Sequence, residues 1–272
     1  MTTLYDLLGY RVAVTVSDPA DRACRSVLAN FAIDAPGVGA AAQSYSVIRA
    51  DDRWHVEAGG RRLHSVADER AAIATLEWQL VSDALKNRPD LFHVHGAALA
   101  PPQLDGAVVL AGAAGVGKTT LARALMDRGF LPFSDDVTLV DPLSLELQPF
   151  PRAFHLRETG GDTPESPRGS VTYFQPLHWA RAPLPVKLIL FLSRGAEREV
   201  RAVLLGPADA ASSLLRHSGS LAAAPAHALA VAVRIIAQAP CHRFELGSPE
   251  ASAALVELLC AGWRSRPLEA IA

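Results

Sequence analysis

Apolar and polar residues alternate along Tyr10–Val16, a β-branched run that predicts a strand. Three more short strands are expected between Ser44 and Val66, separated by the turn-forming pairs Asp51-Asp52 and Gly59-Gly60. The small-residue stretch from Asp34 to Ala42 reads as a loop. From Ala71 to Leu85 the period lengthens. Ile73, Leu76, Leu80 and Ala84 recur at helical spacing, and Pro89 closes the segment.

The middle of the chain carries a different pattern. Leu91–Ala100 and the short apolar run Ala107–Ala111 predict strands. Gly117–Arg128 predicts a helix with Leu121, Leu125 and Met126 on one face and Gly129 as its stop. Val137–Val140 is a further strand, and Leu145–Leu156 is extended chain broken by Pro149 and Pro151. Residues 157–170, rich in glycine, proline and polar groups, have the composition of a long functional or mobile loop. Val186–Leu192 predicts a buried strand. The alanine-rich C-terminal third predicts helices, one strand at His242–Leu246, and a helix start at Ser248-Pro249-Glu250. Strands and helices in this order make an α/β chain.

Composition narrows the class. The chain has 272 residues, half of them hydrophobic, and a net charge of −2. That balance argues against disorder and against a nucleic-acid partner. Three cysteines, Cys24, Cys241 and Cys260, are too few and too scattered for an extracellular disulfide framework. No apolar run approaches bilayer length, and the first residues lack the pattern of a signal peptide, so a cytoplasmic protein with no membrane partner is expected.

Chemistry enters at Gly112-Ala113-Ala114-Gly115-Val116-Gly117-Lys118-Thr119, which matches the phosphate-loop pattern and lies between a strand and a helix, with Thr120 following. Glycines let backbone N–H groups turn toward a phosphate, and the helix N-terminus adds the positive end of its dipole. Lys118 reaches the β- and γ-phosphates of ATP, its side chain expected to project into a solvent-filled loop. The Thr119 hydroxyl is suited to Mg²⁺. The strand Val186–Leu192 ends in Ser193-Arg194 and offers no metal-associated acid. The nearest acids are Asp135 and Asp136, directly after the loop's helix. Paired carboxylates at a phosphate site suggest one near the metal and one taking a proton; a plain acidic turn is the alternative. His93 and His95 share one face of a strand. Each is a structural histidine, a zinc ligand or, for His95, a contact to the terminal phosphate.

The run His95-Gly96-Ala97, then Gly112 to Thr119, then Ser134-Asp135-Asp136, resembles the kinase domain of bacterial HPr kinase/phosphorylase. It is closer still to the HPr kinase-related kinases found beside peptide-modification genes. The resemblance implies a phosphoenolpyruvate carboxykinase-like P-loop nucleotide-binding domain over 91–272, with a smaller N-terminal α+β region over 1–90. It implies Asp136 as proton acceptor, Lys118 on phosphate, Thr119 on the metal and His95 at the γ-phosphate. Thr119 stands where the family usually has serine. The family's downstream Glu-x-Arg-Gly-Leu-Gly-type run is absent, and Pro151–Glu158 stands near its place.

Arg152 and Arg157 border the long loop and read either as a clamp for transferred phosphate or as a solvated strand end. Glu158 beside them is a candidate metal ligand together with Thr119 and Asp135. The leading expectation is an ATP- and Mg²⁺-dependent kinase acting on a Ser/Thr hydroxyl of a peptide or protein, a ribosomal-peptide precursor among them. A small-molecule kinase, a carboxykinase-type enzyme and a non-catalytic ATP-binding module are the alternatives.

Overall fold

The computed structural model describes residues 2–18, 20–33, 41–103, 105–157, 171–195, 199–222 and 224–265. The elements begin with β1 (Thr2–Leu7), β2 (Tyr10–Val16), α1 (Asp21–Val27), β3 (Gln43–Ala50), β4 (Arg53–Ala58), β5 (Arg61–Val66) and α2 (Glu69–Lys86). There follow β6 (Phe92–Ala100), β7 (Ala107–Ala111), α3 (Lys118–Met126), β8 (Leu131–Ser134), β9 (Val137–Val140) and β10 (Glu146–Gln148). The rest are β11 (Phe154–Arg157), β12 (Val171–Phe174), β13 (Leu184–Arg194), β14 (Arg201–Leu204), α4 (Pro207–Arg216), α5 (Pro225–Gln238), β15 (Cys241–Leu246) and α6 (Pro249–Ala261). The chain is mixed α/β with several sheets, and it divides into two compact units: Met1–Pro89 with Arg152–Gln175, and Asp90–Pro151 with Pro176–Ala272.

The first unit is built on a five-stranded sheet in the order β1-β2-β3-β4-β5. Its hairpins turn at Leu8-Gly9, Asp51-Asp52 and Gly59-Gly60, and both residues of each pair have positive φ. That is the turn whose twist matches two antiparallel strands. Strands β2 and β3 are parallel, and α1 lies in the crossover between them. Helix α2 starts where Asp68 accepts a hydrogen bond from Ala71 N–H, and it buries Ile73, Leu76, Leu80 and Ala84. The ribbon β11–β12 belongs to this unit, although the sequence places it inside the 91–272 segment. Arg152 explains why. It is 3% exposed and pairs with Glu77 of α2 through Nε and, at 2.9 Å, Nη2. The expectation of a phosphate clamp at Arg152 is therefore corrected: its guanidinium is committed to a buried carboxylate.

The second unit contains an eight-stranded sheet whose main path runs β10-β9-β6-β7-β13-β15-β14, with β8 also on β6. β10 pairs with both β9 and β13, so five of these strands close into a ring. β7, β13 and β15 are parallel neighbours. Their apolar runs are buried on both pleats: Val109 and Ile189 pack with Leu214, Val231 and Ile235 of α4 and α5, while Leu110 and Leu190 on the alternate positions are equally inaccessible. Helix α3 packs on β6, β7 and α6, burying Leu121 and Leu125, and Gly129 at φ +85° stops it. Ser248 caps α6 on Ala251 N–H, with Pro249 next. No helix is long and apolar enough to cross a membrane among the described residues. Cys24, Cys241 and Cys260 are free and buried, and burial pushes each thiol up to about 12.

Candidate functional site

β7 delivers the chain to the glycine-rich loop, and α3 leaves it with Lys118 as its first residue. Gly117 holds φ +124°, a conformation side-chain-bearing residues avoid, and this turns the backbone from strand into helix. Ala113, Ala114 and Gly115 are exposed at the loop tip. Lys118, expected to project into solvent, is instead 7% exposed and folded back over the loop. Its Nζ donates to Gly112 O at 2.8 Å and Ala113 O at 3.1 Å.

His95 comes from β6, the strand beside β7. The two strands approach so closely at Gly96 that a Cβ there would lie 2.6 Å from Leu110 O. His95 Nδ1 lies 3.0 Å from Asp136 O and 3.2 Å from Asp136 Oδ1, and Lys118 Nζ lies 3.2 Å from His95 Nε2. Lysine has only donors, so Nε2 accepts from it and Nδ1 carries the proton that faces Asp136. A continuous polar chain thus runs from the loop lysine through His95 to Asp136.

The acid pair sits between β8 and β9. Asp135 is 2% exposed, and its Oδ1 accepts from Thr119 Oγ1 at 3.4 Å. Asp136 has the opposite surroundings, with 43% of its side chain exposed. Its φ is +65°, and Val137 N–H donates across it to Asp135 O at 2.7 Å, a tight three-residue turn. Such backbone costs about 1–3 kcal/mol and persists where the surroundings hold it; here Gly96 N–H, at 3.2 Å, and the His95 ring both bind Asp136 O. The neighbouring carboxylates thus have opposite surroundings, one buried against Thr119 and one presented to solvent. Thr119 and Asp135 are hard oxygen donors that fit Mg²⁺, a cation that keeps waters and takes phosphate oxygens as its remaining ligands. Among the described residues, no three His, Cys, Asp or Glu side chains gather into a metal site.

The loop residues Gly112, Ala113, Ala114, Gly115, Val116, Gly117, Lys118, Thr119 and Thr120 thus share the second unit with His95, Asp135 and Asp136. Arg157 lies on β11 of the first unit, paired with Val171 by register. Glu158 and the rest of the expected loop through residue 170 lie outside the described residues. Two residues to which the sequence gives little or no weight border the site. His217, the C-cap of α4, accepts His95 N–H through its carbonyl at 2.7 Å and stacks on Phe191. Burial, with the Lys118 charge nearby, holds its imidazole below the ordinary histidine range. Arg194, at the end of β13, donates to Gly115 O at 3.0 Å and Val116 O at 3.4 Å. No motif marks His217, which meets β6 from the end of α4.

No family model matches the chain, and no curated protein does. Among solved structures, the chain is similar to the Hpr(Ser) kinase/phosphatase from Coxiella burnetii, at 17% identity and a TM-score of 0.33, over 64% of this chain and 96% of that one.

Proposed function

We propose that the chain is an ATP-dependent kinase that moves the γ-phosphoryl group to a Ser/Thr hydroxyl of a peptide or protein, using a phosphoenolpyruvate carboxykinase-like P-loop domain. The observation that carries this reading is the pairing of an exposed Asp136, tied through His95 to Lys118, with a buried Asp135 against Thr119. A module that only binds nucleotide needs the loop, not a strained and solvent-facing carboxylate beside it.

In this mechanism the N–H groups at the start of α3 and the Lys118 ammonium hold the phosphates. Lys118 exchanges the carbonyls of Gly112 and Ala113 for phosphate oxygens. Thr119 and Asp135 would hold Mg²⁺, which supplies charge neutralisation at the phosphoryl oxygens when bound. Asp136 accepts the proton of the incoming hydroxyl, and His95 keeps that carboxylate oriented and faces the terminal phosphoryl group. Positioning and electrostatics do most of the work in such a transfer.

The test is incubation of the protein with γ-labelled ATP, Mg²⁺ and Ser/Thr-containing peptides, including ribosomal-peptide precursors. Label on a serine or threonine hydroxyl, lost in Asp136→Asn, is the expected result. Nucleotide binding with no transfer to any hydroxyl acceptor would make the chain a binding module instead.

A further inference from the structure

β7 stops pairing with β6 at Ala111, opposite Gly96, where the chain turns into the glycine-rich loop. β6 extends beyond that point, and its residues Phe92–His95 pair with β9 along one edge. Successive N–H groups of a strand point to opposite edges. Gly96 N–H goes to Asp136 O on the β9 side, so the N–H groups of His93 and His95 face the edge that β7 has left. Backbone groups on such an edge need partners.

The partners come from residues 217–220, the chain that leaves α4. His95 N–H donates to His217 O at 2.7 Å, and Ser218 forms an antiparallel bridge with Val94. Gly219 N–H donates to His93 O at 3.1 Å, and His93 N–H donates to Ser220 Oγ at 3.0 Å. Residues 217–220 therefore stand in for β7 where β7 has become the loop. One side chain ties them to the strand on the far side of the gap. The His217 ring stacks on Phe191 of β13, with centroids 6.2 Å apart and planes 19° apart, and Phe191 is the residue level with Ala111. Phe191 is 7% exposed, so the stack is seated on the core. Burial, with the Lys118 charge nearby, keeps the His217 imidazole below its ordinary range and hence uncharged at neutral pH.

We propose that His217 is a positioning residue for phosphoryl transfer: its ring, seated on Phe191, fixes residues 217–220 against β6 and so sets His95 between Lys118 and Asp136. This rests on the kinase reading of the site. β9 holds β6 from one edge only, and the His95 ring makes its contacts at 3.0 Å to Asp136 O and 3.2 Å to Lys118 Nζ, distances that a small shift of β6 breaks. The role calls for a flat uncharged ring at residue 217 and not for an imidazole that gives or takes a proton.

The experiment compares the full chain as wild type, His217→Ala and His217→Phe. It measures label transfer from γ-labelled ATP to Ser/Thr-containing peptides, together with the NMR signals of the His95 ring nitrogens, assigned by their loss in His95→Gln. His217→Ala is expected to lower kcat about tenfold with the KM for ATP within about threefold, because a slight misplacement costs rate while the loop is untouched. His217→Phe keeps the stack and is expected to bring kcat back to within about threefold of wild type. The His95 ring is expected to hold one tautomer in wild type, with the proton on Nδ1, and to average over both in His217→Ala. Should His217→Ala unfold, His217→Leu, similar in bulk but without a stacking face, is read in its place. A wild-type kcat and an unchanged His95 signal in His217→Ala would overturn the proposal. So would a rise in KM alone, which belongs to the loop, or a His217→Phe protein as slow as His217→Ala, which would assign the work to the imidazole nitrogens. If the wild-type protein labels no acceptor, the kinase reading falls, and the His95 signal still decides the placement: a fixed tautomer lost in His217→Ala sustains it, and an unchanged one overturns it.

Discussion

The Lys118 ammonium is shared among Gly112 O, Ala113 O and His95 Nε2, so truncating it acts on the fold and on the chemistry at once. Lys118→Ala is expected to abolish label transfer from ATP. It also leaves the buried Gly112 carbonyl without this donor, at a cost of about 1–3 kcal/mol measured by denaturant unfolding. Transfer near the wild-type rate would show that the loop does not hold the reacting phosphates. Asp136 separates binding from turnover. Asp136→Asn keeps the shape of the side chain, and a carboxamide oxygen still accepts from His95 Nδ1, but the basicity is gone. A late proton transfer places the expected loss in the lower part of the general-base range, about a hundredfold in turnover. Nucleotide affinity is expected to stay within about threefold, because Asp135 rather than Asp136 faces Thr119. If affinity collapses while turnover holds, the two carboxylates have exchanged roles.

Strand β6 carries His95 only because it lies almost against β7. A Cβ on Gly96 would meet Leu110 O at 2.6 Å, backbone that has no room to yield. Gly96→Ala is therefore expected to destabilise the second unit by about 1–3 kcal/mol, measured by denaturant unfolding, and to lower phosphoryl transfer by shifting His95. Unchanged stability would mean that the strands part at little cost. The same element shows what a sequence can and cannot reveal. β6, β7 and α3 are legible because continuous apolar runs, a glycine-rich turn and a helical apolar face are local signals. So are the turn pairs Asp51-Asp52 and Gly59-Gly60 and the cap at Ser248, whereas the cap at Asp68 emerges only in the structure. The four-residue strands β8, β12 and β14 are not, since their extended form is set by the strand each one meets. The loop, His95 and the Asp135-Asp136 pair are visible as residue types in order. The contrast between a buried Asp135 and an exposed Asp136 appears only once β8 and β9 fix a left-handed residue between them. His217 and Arg194 lack any local signature: the end of α4 brings His217 to β6, and the pairing of β13 with β7 brings Arg194 to the loop.

At the scale of the whole molecule, the chain leaves the first unit after Pro89 and returns to it for Arg152–Gln175. Charge makes that return obligatory. Glu77 sits on α2 at 2% exposure among Ile73, Leu76 and Leu80, where an isolated carboxylate would be costly. Burial alone would raise its pKa, but Arg152, with His155 Nε2 at 3.5 Å, outweighs burial and holds the carboxyl at about 2. The folded value lies below the ordinary 4.5, so the stabilisation from this group is complete above 4.5 and is lost as pH falls through about 2. Glu77→Gln strands the Arg152 guanidinium and is expected to cost about 3–5 kcal/mol at neutral pH, far more than a surface pair. Pairing Glu77→Leu with Arg152→Met removes both charges and is expected to recover most of that loss. A fragment of residues 1–89 leaves Glu77 buried with neither partner and is expected to remain unfolded at neutral pH, gaining structure only where the carboxyl is protonated. The measurement is denaturant unfolding of the single and double variants at neutral and acid pH, with circular dichroism of the fragment over the same range. A fragment that folds cooperatively at neutral pH, or a Glu77→Gln protein as stable as wild type, would mean that Arg152–Gln175 packs on a unit already complete without it.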